Sequence, residues 1–233
     1  MSIGPAPVGA NSGASLEPGL AAALWAANAD LTQLALEHPF VRGLADGSLP
    51  RTTFAGYVQQ DAFFLEAFAR AYALALARCP DSRGLRDFFD LLAGALDELR
   101  LHASYAAGWG VEVTEAVPAT ATLAYTDFVL STAALADIGE TCAAMTPCMR
   151  LYAYLGVSLS SAGAATEHNP YADWVRTYAA PEFQSLAARL EALLDRYAVD
   201  HERARWVYRR AMSLEVAFFA AAWSQEAWRG DVR

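Results

Sequence analysis

The chain is poor in cysteine, with three in 233 residues: Cys79, Cys142 and Cys148. An odd, sparse set with no Cys-x-x-Cys pair argues against a disulfide framework and fits a reducing cytosol. Positive charge is also short, with 17 basic residues against 26 acidic and a net charge of −9. Such a chain is repelled by phosphate backbones, so no nucleic-acid partner is expected. The clearest basic cluster, Arg203, Arg205, Arg209 and Arg210, is mixed with Glu202 and near Asp200. It reads as a solvated helix face. No run of about 20 apolar residues is free of charge, so no membrane span is expected. No glycine-rich phosphate loop and no serine nucleophile elbow appears. Residues 1–15 lack the basic start and apolar middle of a secretory signal. Rich in Gly, Pro, Ser and Ala, they read as a disordered leader to a helical domain over 16–233.

Hydrophobic residues make up 55% of the chain, enough to bury a sizeable core. Alanine and leucine abound and β-branched runs are scarce, which favours helix. From Leu16 onward the pattern is helix, short break, helix. Breaks fall at His38-Pro39, Asp46-Gly47-Ser48, Cys79-Pro80-Asp81-Ser82 and Gly108-Trp109-Gly110. Val111 to Val117 looks extended, and Gly156 to Glu167 reads as loop with frayed helix. The last helix is expected from Asp200 to Trp228. The fold class is all-α, a single-domain bundle of roughly seven to nine helices with short connections.

The candidate chemistry lies inside these helices. Cys148 follows Pro147, which cannot donate to the carbonyl of Ala143 and should kink its helix. Tyr152 is four residues on, on the same face. Asp61 and Glu215 are acids within apolar helices, where a carboxyl must be paired, hydrogen-bonded or protonated. Glu98 and His102 stand at i and i+4, and a structural contact explains them better than a metal. The further carboxylates and histidines of a helical di-iron site are missing.

These weak signals fall into one order, and the sequence resembles the TenA family, the thiaminase II branch of the haem-oxygenase-like helical fold, from about Leu16 to Trp228. The resemblance is carried by His38-Pro39-Phe40, by Tyr57, Gln60, Asp61 and Phe64, and by Glu98 with His102. It continues through Tyr125, through Pro147-Cys148 with Tyr152 and Gly156, through Trp174 with Tyr178, and through Glu215 with Phe218. Phe64 departs from the pattern, since related enzymes carry tyrosine there.

The resemblance implies hydrolysis of 4-amino-5-aminomethyl-2-methylpyrimidine to the hydroxymethyl pyrimidine with release of ammonia. Cleavage of thiamin to the same pyrimidine and a thiazole is also implied. Cys148 would add to the ring as nucleophile, with Glu215 as proton donor and then base. Asp61 would orient the pyrimidine. Tyr125, Tyr152 and Tyr178 would line the pocket, with Phe64 and Phe218 as apolar walls. Neither metal nor organic cofactor is implied, the partner is a small pyrimidine, and the assembly implied is a homotetramer in the cytoplasm. Cys79 and Cys142 would be bystanders. Two other readings stay open: a regulator of extracellular enzyme expression, and an oxygenase or pyrroloquinoline-quinone-synthase-like activity.

Overall fold

The computed structural model describes residues 19–108 and 117–226, and of 101–108 the backbone only. The described residues form ten α-helices and no strand: α1 Leu20–Ala27, α2 Ala29–Leu36, α3 Pro39–Asp46, α4 Arg51–Arg78, α5 Ser82–Gly108, α6 Thr120–Leu135, α7 Ile138–Ser161, α8 Ala172–Ala179, α9 Pro181–Tyr197 and α10 His201–Ser224. The leader expected over 1–15, Trp228 and most of the extended stretch expected over 111–117 lie outside the described residues.

Local chemistry sets the boundaries. The single helix expected over Leu16 to Glu37 is two, because Asn28 leaves helical geometry at φ −110° and turns its side chain back onto the carbonyl of Leu24. An asparagine that competes for backbone partners breaks a helix in this way. Pro39 takes the first position of α3, where no amide hydrogen is needed, and the Nδ1 atom of His38 accepts from the amide of Phe40. Gly47, at φ 77°, closes α3 in the left-handed conformation. Helix α7 outruns its expected end at Leu155 and reaches Ser161, where Gly163 at φ 88° stops it. Helix α10 ends earlier than expected, at Gln225 with φ 53°.

Two long helices organise the interior. Helix α4 packs on α5 and α6, and α7 packs on α8, α9 and α10. Gly156 of α7 lets α8 approach closely: a Cβ there would lie 2.4 Å from the carbonyl carbon of Tyr178 and 2.6 Å from the amide nitrogen of Ala179. Gln184 ties the same corner, donating to the carbonyls of Ala153 and Tyr178. Two of the four arginines on α10 are answered by acids: Arg203 by Glu140 at 2.6 Å, and Arg209 by both oxygens of Asp30. That leaves no continuous positive strip on α10. Among the described residues, no helix is long and apolar enough to cross a membrane.

Candidate active site

A cavity of about 440 Å³ opens between α4, α5, α7, α8 and the start of α9. Its α4 wall is the stripe Asp61, Phe64, Leu65, Phe68 and Tyr72, the spacing by which one helical face meets one surface. From Asp61 to Tyr72 that stripe spans about 16 Å at the helical rise. Cys148, Met149 and Tyr152 of α7 form a second wall, and Leu91, Ala95 and Glu98 of α5 a third. The mostly apolar lining with a few polar groups matches a small-molecule site.

Cys148 is the only cysteine on the cavity wall among the described residues; Cys79 touches the hydroxyl of Tyr197, and Cys142 is fully buried. Helix α7 runs through Pro147 without ending. Burial pushes the Cys148 thiol well above its ordinary range, and the nearby Glu215, Glu98 and Asp61 push it further. The hydroxyl of Tyr125 donates to the Glu215 carboxyl at 2.6 Å, and that carboxyl and the Cys148 thiol perturb each other's titration. Glu215 is 1% exposed. Burial lifts its pKa to about 8, against the opposing pull of the Tyr125 bond. Near neutral pH the pair is therefore mostly thiol and neutral acid, each within reach of the other's proton.

Tyr125, Glu215 and Phe218 do not line the cavity; they stand behind it. Phe64 does line it, and its ring centroid lies 4.7 Å from that of Tyr125 and 6.0 Å from that of Phe218. Phe64 therefore takes the wall position expected of all three aromatic rings. The other end is a chain of donors. The Trp174 indole donates to Tyr57 at 3.3 Å, and the hydroxyls of Tyr57 and Tyr152 lie 3.3 Å apart. The rings of Tyr152 and Tyr178 meet edge to face at 4.8 Å. Asp61 is 4% exposed beside this group, and its charge helps raise the pKa values of Tyr57, Tyr152 and Tyr178.

Three roles are not visible in the sequence. Glu98 lines the cavity and accepts from the hydroxyl of Tyr178 at 2.6 Å. The side chain of His102, expected as its partner, lies outside the described residues. Tyr72 lines the cavity with a buried hydroxyl that has no hydrogen-bond partner among the described residues. Its place on the Asp61 stripe was the signal that could have found it. Gln60 accepts from the amide of Ala119 and the hydroxyl of Thr122, both at 2.7 Å. It thus anchors the start of α6 to α4, one turn before Tyr125. No group of three or more His, Cys, Asp and Glu comes together as metal ligands would among the described residues.

The chain is 33% identical over 217 residues to the aminopyrimidine aminohydrolase of Halalkalibacterium halodurans, covering 89% of this chain and 97% of that protein. The structure of a TenA homologue from P. horikoshii matches with a TM-score of 0.82 at 25% identity, over 89% of this chain and 99% of that one. Haem oxygenase-1 from the cyanobacterium Synechocystis shares the fold, with a TM-score of 0.61 at 18% identity over 89% and 94% of the two chains. The model of the TENA/THI-4/PQQC family matches residues 25–225, and the chain belongs to that family.

Proposed function

We propose that this protein is an aminopyrimidine aminohydrolase of thiamin salvage, converting 4-amino-5-aminomethyl-2-methylpyrimidine to its 5-hydroxymethyl counterpart with release of ammonia. Thiamin is a second substrate, cleaved at the same carbon to release its thiazole. The observation that carries this reading is the placement of Cys148 on the wall of a cavity that also holds Asp61, with the buried Glu215 carboxyl close enough behind it to perturb the thiol. The relative from Halalkalibacterium halodurans carries the same activity in its name.

The chemistry follows from the protonation states. Asp61 accepts from the amino group and from a protonated ring nitrogen and fixes the ring over Cys148. The Cys148 sulfur adds to a ring carbon as its proton passes to Glu215. Glu215 in turn gives up its own proton, which reaches the adjacent ring nitrogen past the wall position of Cys148 once the bound ring closes against it, so the acid returns neutral and charge balances. The adduct's electrons then expel the side-arm group. Water adds at the vacated carbon and gives its proton to the departed ammonia or, for thiamin, to solvent; the thiol then leaves the ring by the reverse transfer through Glu215. A carboxyl with a pKa of about 8 holds its proton for this exchange at neutral pH. The protein works in the cytoplasm as a homotetramer, with residues 16–233 as its single domain.

Ammonia release from the aminomethyl pyrimidine, run beside thiazole release from thiamin, tests the reading. Purified protein should turn over the first compound, and Cys148→Ser should not. No ammonia from the wild-type protein, or equal rates in the two, would refute it. Size-exclusion chromatography with light scattering tests the tetramer, and a monomer would refute that part.

A further inference from the structure

The described cavity lining holds four carboxyl side chains, Asp61, Asp97, Glu98 and Glu182, and no lysine, arginine or histidine. The four are not equivalent. Asp61 is deep, at 4% exposed. Asp97 is at the surface and paired with Arg100 at 2.5 Å, so its charge is largely answered. Glu182 is exposed at the mouth. Glu98 alone is half-buried on the wall, held by the Tyr178 hydroxyl at 2.6 Å. The cavity it faces is mostly apolar, with Phe68, Leu91, Phe183 and Leu186 among its lining. A carboxyl placed there acts through low-dielectric walls rather than through water. Its charge reaches across the cavity, contributing to the raised pKa values of Cys148, Tyr72 and Tyr178.

We propose that Glu98, steadied by Tyr178, holds the positively charged arm of the substrate and makes the cavity select a cationic arm over a neutral one of the same size. This rests on the reading above and deepens it. A primary amine on the side arm is protonated at neutral pH, as lysine is. Asp61 reads the ring edge and Glu98 reads the ammonium, so one small molecule is gripped at both ends. The division also balances the proton account. The arm carries its own third proton, so when its carbon–nitrogen bond breaks, the electron pair leaves on nitrogen as neutral ammonia. The single proton of Glu215 stays committed to the ring nitrogen. Thiamin's thiazolium, already cationic, meets the same requirement.

The test compares two ligands that differ only at the arm: the aminomethyl pyrimidine and the neutral hydroxymethyl pyrimidine. Calorimetric titrations use Cys148→Ser protein, which does not consume the ligand. Adding Glu98→Gln, which keeps an acceptor for Tyr178 but removes the charge, should weaken the aminomethyl compound roughly tenfold to a hundredfold, the scale of a charged hydrogen bond. The hydroxymethyl compound should change less than about threefold, a neutral bond being exchanged for another. Glu98→Asp, which keeps the charge, should retain the preference for the cation. In turnover, Glu98→Gln should raise KM for the amine more than it lowers kcat. Equal weakening of both ligands, or no weakening of either, would overturn the assignment. Wild-type protein that releases no ammonia while the titrations still show the charge preference would refute the reaction and leave Glu98 as the cation reader.

Discussion

Replacing Glu215 with glutamine tests the energetic basis of the site. The wild-type carboxyl is fully buried and its pKa rises from the ordinary 4.5 to about 8. Between those values the native protein holds a proton that the unfolded chain has lost. Stability from this group is complete below pH 4.5 and is lost as pH rises through 8, because the unfolded state gains by ionising first. At about 1.4 kcal/mol per pH unit, the gap between 4.5 and about 8 comes to about 5 kcal/mol. Glutamine cannot ionise, so the variant lacks this slope. It keeps an oxygen to accept from Tyr125, and its volume is nearly the same. Urea unfolding of both proteins at pH 5, 7 and 9, at one protein concentration, reads the effect. The variant should gain on the wild type by several kcal/mol between pH 5 and pH 9, with most of the gain in place by pH 8. A stability difference that stays constant across that range would refute the claim that Glu215 is a buried, proton-holding acid. The variant should also lose nearly all turnover at every pH, while wild-type activity falls as Glu215 ionises above pH 8.

Further outcomes follow from single contacts. Cys148→Ser should cut ammonia release by roughly a thousandfold or more, the scale seen when a nucleophile is removed, with a thermal midpoint close to wild type. Gly156→Ala should destabilise the fold by about 1–3 kcal/mol, because the new methyl meets backbone of Tyr178 and Ala179 that only a shift of α8 can move. It should also raise KM through the displaced Tyr178, and an unchanged denaturation midpoint would disprove the close approach. Tyr72→Phe should leave the unliganded protein as stable as wild type or up to about 1–2 kcal/mol more so, since it removes a buried hydroxyl with no partner among the described residues. A loss above about 2 kcal/mol in a melt would mean that the hydroxyl is satisfied in solution.

The sequence carried the fold through its rarities. Few β-branched runs, abundant alanine and leucine, and proline or glycine at each break were enough for an all-helical reading. What pattern alone could not place was the break at Asn28. It depends on an asparagine side chain choosing the carbonyl of Leu24, a local competition invisible to hydrophobic spacing. The extension of α7 past Leu155 was hidden for the opposite reason. Gly156 looks like a helix stop, yet it is a glycine inside a helix whose missing Cβ admits α8. A glycine's conformational freedom and its small size are indistinguishable in one sequence, and only packing tells them apart.

The same distinction separates the parts of the site that were legible from those that were not. Cys148, Glu215 and Asp61 could be suspected because a thiol beside a helix proline and acids in apolar helices are costly unless paired. Gln60 and Glu98 stood out only through the family resemblance and, for Glu98, its i, i+4 spacing from His102, neither of which points to the partners they take. Their roles come from helices distant in sequence: Gln60 from the start of α6, and Glu98 from a tyrosine 80 residues away. Glu98 and Glu215 are the same residue type at different depths. The deeper one is pushed to about 8 and holds a proton to give. The shallower one is open to the cavity and held by a phenol, the setting behind its proposed role as a cation reader. In the proposed mechanism, depth below the cavity wall, which no residue pattern encodes, separates the carboxyl that donates a proton from the one that reads a charge.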